Sequence, residues 1–326
     1  MSVVVPVHGS AEYLETTLRA IQSQTYRPIE VVIVNERATA DLRSRVRAVL
    51  PDAVVVDSAA PGPSAARNSG LAHSVGQFVA FLDCDDVWLP GFVSALVAEL
   101  VRTPSAVLVG CTFIEFDARG PRAIRPFRRV RLSPDPVRST LIDYQGPPSV
   151  VLCRRDVVDR LGGWGEYAAL EDRVFFGRMA VAGPVAHVDQ PLALYRIHPD
   201  NLTRRQATTD PNSLYLAVRQ ANEAVLKEIE ASPRKTRLER TLDANAHRSA
   251  AQFHLLAGNR RMAVREGLKA LRLAPTSPEP YFVLLRALLG DRVARRLRSS
   301  VEPTFSEEIR EQVRRANQPT ARPPQP

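Results

Sequence analysis

An α/β fold is predicted for this chain, with a mostly parallel, Rossmann-like sheet flanked by helices and an α-helical C-terminal region. Three features carry that expectation. Short β-branched runs alternate with helical patterns through the first 115 residues, as in sheets built with crossover helices. The runs are almost continuously apolar, as strands covered on both faces are. After about Arg205 the apolar spacing is helical throughout.

Ser2–Val7 (SVVVPV), Ile29–Asn35 (IEVVIVN), Ala53–Asp57 (AVVVD) and Gln77–Asp83 (QFVAFLD) read as strands buried on both faces. Between the first two, Leu14, Leu18 and Ile21 recur at helical spacing and give one apolar stripe. Pro63–Ser74 reads as a helix opened by Gly62-Pro63, since proline suits a first helical turn. Ala106–Phe116 is a further predicted strand, followed by an arginine-rich loop over Arg119–Arg131. Pro147–Arg155 reads as a strand running into a helix that stops at Gly162-Gly163-Trp164. A helix over Leu170–Ala182 and a short strand over Val185–Asp189 lead into LALYRIHPDNLT. The predicted organisation is a catalytic domain over 1–204, a helical region over 205–318, and a proline-rich tail over 319–326 that does not pack. In the helical region Gly258, Ala263, Ala270, Leu271, Leu273 and Pro275 resemble the second half of a tetratricopeptide repeat. A self-sufficient solenoid needs about three repeats, so the expectation is one hairpin packed on the catalytic domain. Binding of a protein partner, or self-association, through these helices is the lesser expectation.

Charge is unevenly placed. Residues 1–203 hold 21 basic and 22 acidic groups, whereas residues 204–326 hold 23 and 13. A basic appendage suits an anionic membrane surface or an acidic partner, and a solvated arginine-rich face equally. No aromatic residues interleave with the arginines, which argues against nucleic acid. No apolar run approaches the roughly 20 residues of a membrane-spanning helix. A secretory leader is not expected from SVVVPV. Cys84, Cys111 and Cys153 lack metal-ligand spacing and read as reduced thiols, so the expected location is cytoplasmic, with peripheral contact at the inner face of the membrane.

The segment FLDCDDVWLP gathers Asp83, Asp85 and Asp86 behind a buried strand. In open α/β sheets ligands bind beyond the carboxyl ends of the strands, which puts His8, Asn35-Glu36 and Asp83–Asp86 on one rim. Clustered carboxylates suit a hard cation such as Mg²⁺ or Mn²⁺. By themselves they equally suit a helix cap or a solvated turn.

MSVVVPVHG, YLETTLRAIQSQTYRPIEVVIVN, GPSAARNSGL, FLDCDDVWLP, GGWGEYAALEDRVFFGRMA and LALYRIHPDNLT follow one another in order. This set, over about residues 2–203, resembles the family 2 glycosyltransferases of the GT-A fold. The resemblance implies an inverting transfer of sugar from a nucleotide-diphosphate sugar, UDP-linked by default, to a hydroxyl of a glycan, glycolipid or lipid-linked acceptor. It implies Asp172 of the Glu171-Asp172 pair as catalytic base. It implies a divalent cation (Mg²⁺ or Mn²⁺) at Asp85, with Asp86 close behind and His198 assisting. Pro6, Val7, His8, Arg67, Asn68, Asp83 and Glu171 are implied to line the nucleotide or diphosphate, and Trp164 to stand beside the acceptor. One departure is that Asn35-Glu36 stands where the family carries paired aspartates before a glycine. Asn35 both donates and accepts hydrogen bonds, whereas a carboxylate only accepts. That departure motivates the alternative expectation of a catalytically impaired scaffold or binding module acting through the helical tail. A nucleotidyltransferase ranks below both, because VPVHGSAEYL lacks the glycine- and lysine-rich phosphate loop it requires.

Overall fold

The computed structural model describes residues 1–9, 11–125, 137, 146–167, 169–229, 235–290 and 305–318. Nine strands and twelve α-helices lie among them. The N-terminal half runs β1 (Ser2–Gly9), α1 (Leu14–Gln22), β2 (Glu30–Ala38), α2 (Leu42–Val49), β3 (Val54–Asp57), α3 (Pro63–Ala72), β4 (Phe78–Phe81), β5 (Val87–Trp88) and α4 (Phe92–Arg102). It continues through β6 (Leu108–Asp117), β7 (Gly120–Arg125), β8 (Val151–Arg154), α5 (Arg155–Arg160), α6 (Glu171–Ala182) and β9 (Val185–Arg196). Helices α7 (Leu202–Thr209), α8 (Pro211–Glu228), α9 (Lys235–Leu256), α10 (Arg260–Leu273), α11 (Pro278–Leu289) and α12 (Glu307–Asn317) complete it.

One sheet carries the order β3-β2-β1-β4-β8-β6-β9-β5, with β7 paired to β6. β1 pairs in parallel with β2 and β4, and β2 with β3. Beyond β4 the sheet is mixed: β8 runs antiparallel to β4 and β6, while β9 is parallel to β6. The valine and isoleucine runs of β1 and β2 are buried as their composition demands. β3 differs from the expected strand buried on both faces. It is the edge of the sheet, and its Val54 is 47% exposed.

Two more elements differ from their sequence reading. Gly120–Arg125, placed in a loop, is a strand paired antiparallel to β6, and Arg125 grips Glu115 with two hydrogen bonds of 2.8 Å. The rest of the arginine-rich segment, including Arg128, Arg129 and Arg131, lies outside the described residues. β9 continues to Arg196 instead of stopping at Asp189, because its register with β6 shifts around Thr112 and absorbs the Asp189-Gln190-Pro191 interruption.

α3 lies against β1 and β2, and Gly70 is what lets it approach: a Cβ there would meet Val4 and stand 2.9 Å from Val34 Cγ2. In the helical region α9 and α10 form a packed pair around a turn at Gly258, whose φ of +75° suits glycine. The region is not one block in space. α8 lies along α6 of the catalytic part. α12 returns to the sheet, where Phe305, Val313 and Ala316 join Ala20, Val87, Ile114, Phe116 and Leu194 in one apolar cluster. Among the described residues no helix is long and apolar enough to cross a membrane.

Candidate active site

The rim beyond β1, β2 and β4 brings together several of the residues singled out in the sequence. β1 delivers His8, whose Nδ1 is 3.9 Å from Glu36 Oε1 at the end of β2. Val7 is fully buried in the core beneath the rim. Glu36 accepts a 2.6 Å hydrogen bond from the Gly62 backbone N–H just ahead of α3. Both ends of the Asn35 amide are engaged: Nδ2 donates to Asp57 Oδ1 (2.7 Å), and Oδ1 accepts from the Ala38 N–H (2.9 Å). The register that pairs Asn35 with Asp57 thus brings a carboxylate from β3 beside the position where an aspartate is absent.

Arg67 on α3 is 4% exposed and joins two distant segments. Its Nη1 donates to Glu171 Oε1 at 2.7 Å and its Nη2 to Asp83 Oδ1 at 2.9 Å. The guanidinium also lies 4.4 Å over the Trp164 ring. Burial pushes the Asp83 carboxyl up, and nearby Asp85 adds to this against the pull of Arg67. Asp172 follows Glu171 at the start of α6. Burial first, and then the neighbouring Glu171 charge, push its carboxyl up to about 7.

Asp85 and His198 meet directly, with Nε2 to Oδ2 at 2.8 Å and both side chains partly exposed. One carboxylate and one imidazole fit a hard divalent cation that draws its remaining ligands from diphosphate oxygens and water. Among the described residues no group of three or more His, Cys, Asp or Glu side chains forms a ready cage for a metal.

Asp86 departs from the expected second cation ligand. It is 1% exposed, and its oxygens accept from Ser149 Oγ (2.6 Å) and from the Arg196 N–H (3.0 Å). Burial raises its carboxyl well above the usual range. A cation would have to break both hydrogen bonds to reach it, so Asp86 anchors the strand ends beneath the site.

Trp164 also departs from its expected place, and Asn68 holds its backbone. The Asn68 amide brackets the Trp164 backbone, accepting from its N–H and donating to its carbonyl oxygen, both at 2.8 Å. The Trp164 ring is 2% exposed and stacks on Phe175 at 4.1 Å, in the core instead of beside an acceptor.

Tyr195 escaped the sequence reading. Its hydroxyl is pushed far up, by burial first and then by the charges of Asp86, Asp85, Asp83 and Asp172. Its position in LALYRIHPDNLT, three residues ahead of His198, was the available signal. Arg196 and Ser149 gave none, because their roles depend on which strand ends become neighbours.

Comparison with known proteins bears on the family and the fold. Residues 2–162 match the family described as Glycosyl transferase family 2. An uncharacterized glycosyltransferase of Nostoc sp. is 28% identical over 221 residues, which is 62% of this chain and 66% of that protein's length. A mannosyltransferase of Pyrobaculum calidifontis, solved with GDP-Man and Mn²⁺, superposes with a TM-score of 0.59 at 19% identity over 97% of this chain and 85% of that one. TarS of S. aureus (residues 1–349), solved with UDP-GlcNAc, gives 0.56 at 14% identity over 89% and 92%. Through residues 2–162 the chain belongs to glycosyl transferase family 2, and its fold is of the GT-A type.

Proposed function

We propose that the protein is an inverting glycosyltransferase that moves a sugar from a nucleotide-diphosphate sugar to an acceptor hydroxyl. The observation that carries this reading is the Arg67 bridge between Asp83 and Glu171, which ties the donor-side aspartate segment to the segment bearing the base. Asp172 takes the proton of the acceptor hydroxyl as that oxygen bonds to the anomeric carbon. The bond from that carbon to the diphosphate breaks on the opposite face, so the configuration inverts and no covalent enzyme intermediate forms. A carboxyl pushed up to about 7 is matched to proton transfer near neutral pH. Asp85 and His198 would hold a divalent cation, which supplies Lewis-acid stabilisation to the departing diphosphate. Arg67 holds Asp83 and Glu171 in place through its two ion pairs while these groups bind and orient the donor.

The base of the donor is read from the other end of the rim, by His8, the Asn35–Asp57 pair and Glu36. A UDP-sugar is the donor we assign, and the altered Asn35-Glu36 segment makes the base the first thing to measure. The test is calorimetric titration of UDP, GDP and other nucleoside diphosphates with and without Mn²⁺, on the wild type and Asp85→Ala. Binding that requires Mn²⁺ and disappears in Asp85→Ala is the expected result. Failure of every nucleotide to bind at millimolar concentration would sink the transferase reading.

A further inference from the structure

The last helix, which lies far outside the matched family region, reaches the donor site through one buried arginine. Arg196 closes β9 and is 3% exposed. Its guanidinium is shared between two parts of the molecule. Nη1 donates to Asn317 Oδ1 and Nη2 to the Ala316 carbonyl oxygen, both at 2.8 Å and both at the carboxyl end of α12. Nε donates at 3.0 Å to the backbone carbonyl oxygen of Asp85. The same residue's N–H holds Asp86. The guanidinium lies 4.0 Å from the Tyr13 ring centre and 4.5 Å from that of Phe116, and the Tyr13 ring centre is 5.7 Å from that of His198. Asn317 is fixed in turn, because its Nδ2 donates to the Asp117 carbonyl oxygen at 2.9 Å.

We propose that the carboxyl end of α12 is a positioning element of the cation and diphosphate site, with Asn317 and Arg196 setting the backbone from which Asp85 faces His198. The proposal rests on the reading of Asp85 as a cation ligand. The end of a helix offers unpaired carbonyl oxygens and partial negative charge, a natural seat for a guanidinium. With both amino groups anchored there, the guanidinium is oriented so that its Nε–H meets the Asp85 carbonyl oxygen and fixes that peptide. If Asn317 loses its acceptor, the fork is free to turn and the Asp85 carbonyl loses a charge-assisted partner. In this reading neither Asn317 nor Arg196 is a cation ligand, so both act through Asp85.

The experiment compares full-length wild type, Asn317→Ala, Asn317→Leu, Asn317→Asp and Asp85→Ala. One readout is the Mn²⁺ concentration at half-maximal binding of UDP or GDP. The other is amide hydrogen exchange across residues 83–87, with thermal melting as a check on folding. Loss of one such hydrogen bond is expected to raise the Mn²⁺ requirement roughly five- to tenfold in Asn317→Ala, with faster exchange at 83–87. Asn317→Leu conserves volume without an acceptor and is expected to follow it. Asn317→Asp keeps an acceptor for Arg196 but loses the donor to the Asp117 carbonyl oxygen, and is expected to fall between Asn317→Ala and the wild type. A folded Asn317→Ala or Asn317→Leu with an unchanged Mn²⁺ requirement overturns the proposal, provided that Asp85→Ala has lost its Mn²⁺ response. If Asp85→Ala keeps the wild-type response, the cation assignment itself has failed, and the proposal falls with it.

Discussion

Arg67 shows why single residues here cannot be assigned from type alone. On a helical wheel it passes for a solvated surface arginine, yet it is buried between Asp83 and Glu171. Removing it strands two carboxylates without a counter-charge. Arg67→Ala is expected to destabilise the protein by about 3–5 kcal/mol, measured by urea unfolding. Asp172→Asn is expected to lower turnover by roughly 10²–10⁴-fold while donor binding persists; unchanged turnover would exclude Asp172 as the base. With its carboxyl pushed up to about 7, a base must first lose its proton, so the rate should rise through that pH and level off above it. The stability effect has the opposite sense. The folded state holds the Asp172 proton more tightly than the unfolded chain, so this carboxyl favours folding below the ordinary Asp range. That contribution is lost as pH rises towards about 7. Asp172→Asn should therefore raise the melting temperature at pH 8 more than at pH 5.

Elements were legible where local composition and burial agree. β1, β2 and β4 are apolar runs in a covered sheet, and their type and order follow from that. β7 and the second half of β9 were not legible, since their pairing with β6 outweighs the local signals of a glycine-proline start and a proline interruption. The candidate site divides along the same line. Which segments converge on the rim was visible in their positions after strands. Which aspartate faces outward was not, because Asp85 and Asp86 are chemically identical until Ser149 and Arg196 arrive to engage one of them. Close packing of elements gives a direct test. Gly70→Ala drives a methyl into Val4 and Val34, and overpacking of this kind should cost about 1–3 kcal/mol. A melting temperature equal to wild type would show that α3 can withdraw from the sheet freely.

At the scale of the whole molecule, the described residues show two places where the helical region and the catalytic part hold each other. One is α6 against α8, where Arg173 donates to Asn222 Oδ1 at 2.9 Å directly after the proposed base. The other is α12 against the sheet. A ligand that binds this folded assembly stabilises it by mass action: nucleotide with Mn²⁺ at a hundred times its Kd should add about 2.7 kcal/mol. Chelating the metal with EDTA should return the melting temperature to that of the free protein. A nucleotide-induced shift that survives chelation would remove the cation from the binding step.

The seam at Asn317 and Arg196 bears on recombination between relatives. The recognisable family segment stops at residue 162, so a junction near there invites grafting of foreign tails. Such a graft would leave the donor-side aspartates in one parent while taking Asp172, Arg196 and Asn317 from the other. Hybrids should retain nucleotide binding only when Asp85, Arg196 and Asn317 come from one parent, whichever parent supplies the surface helices between them.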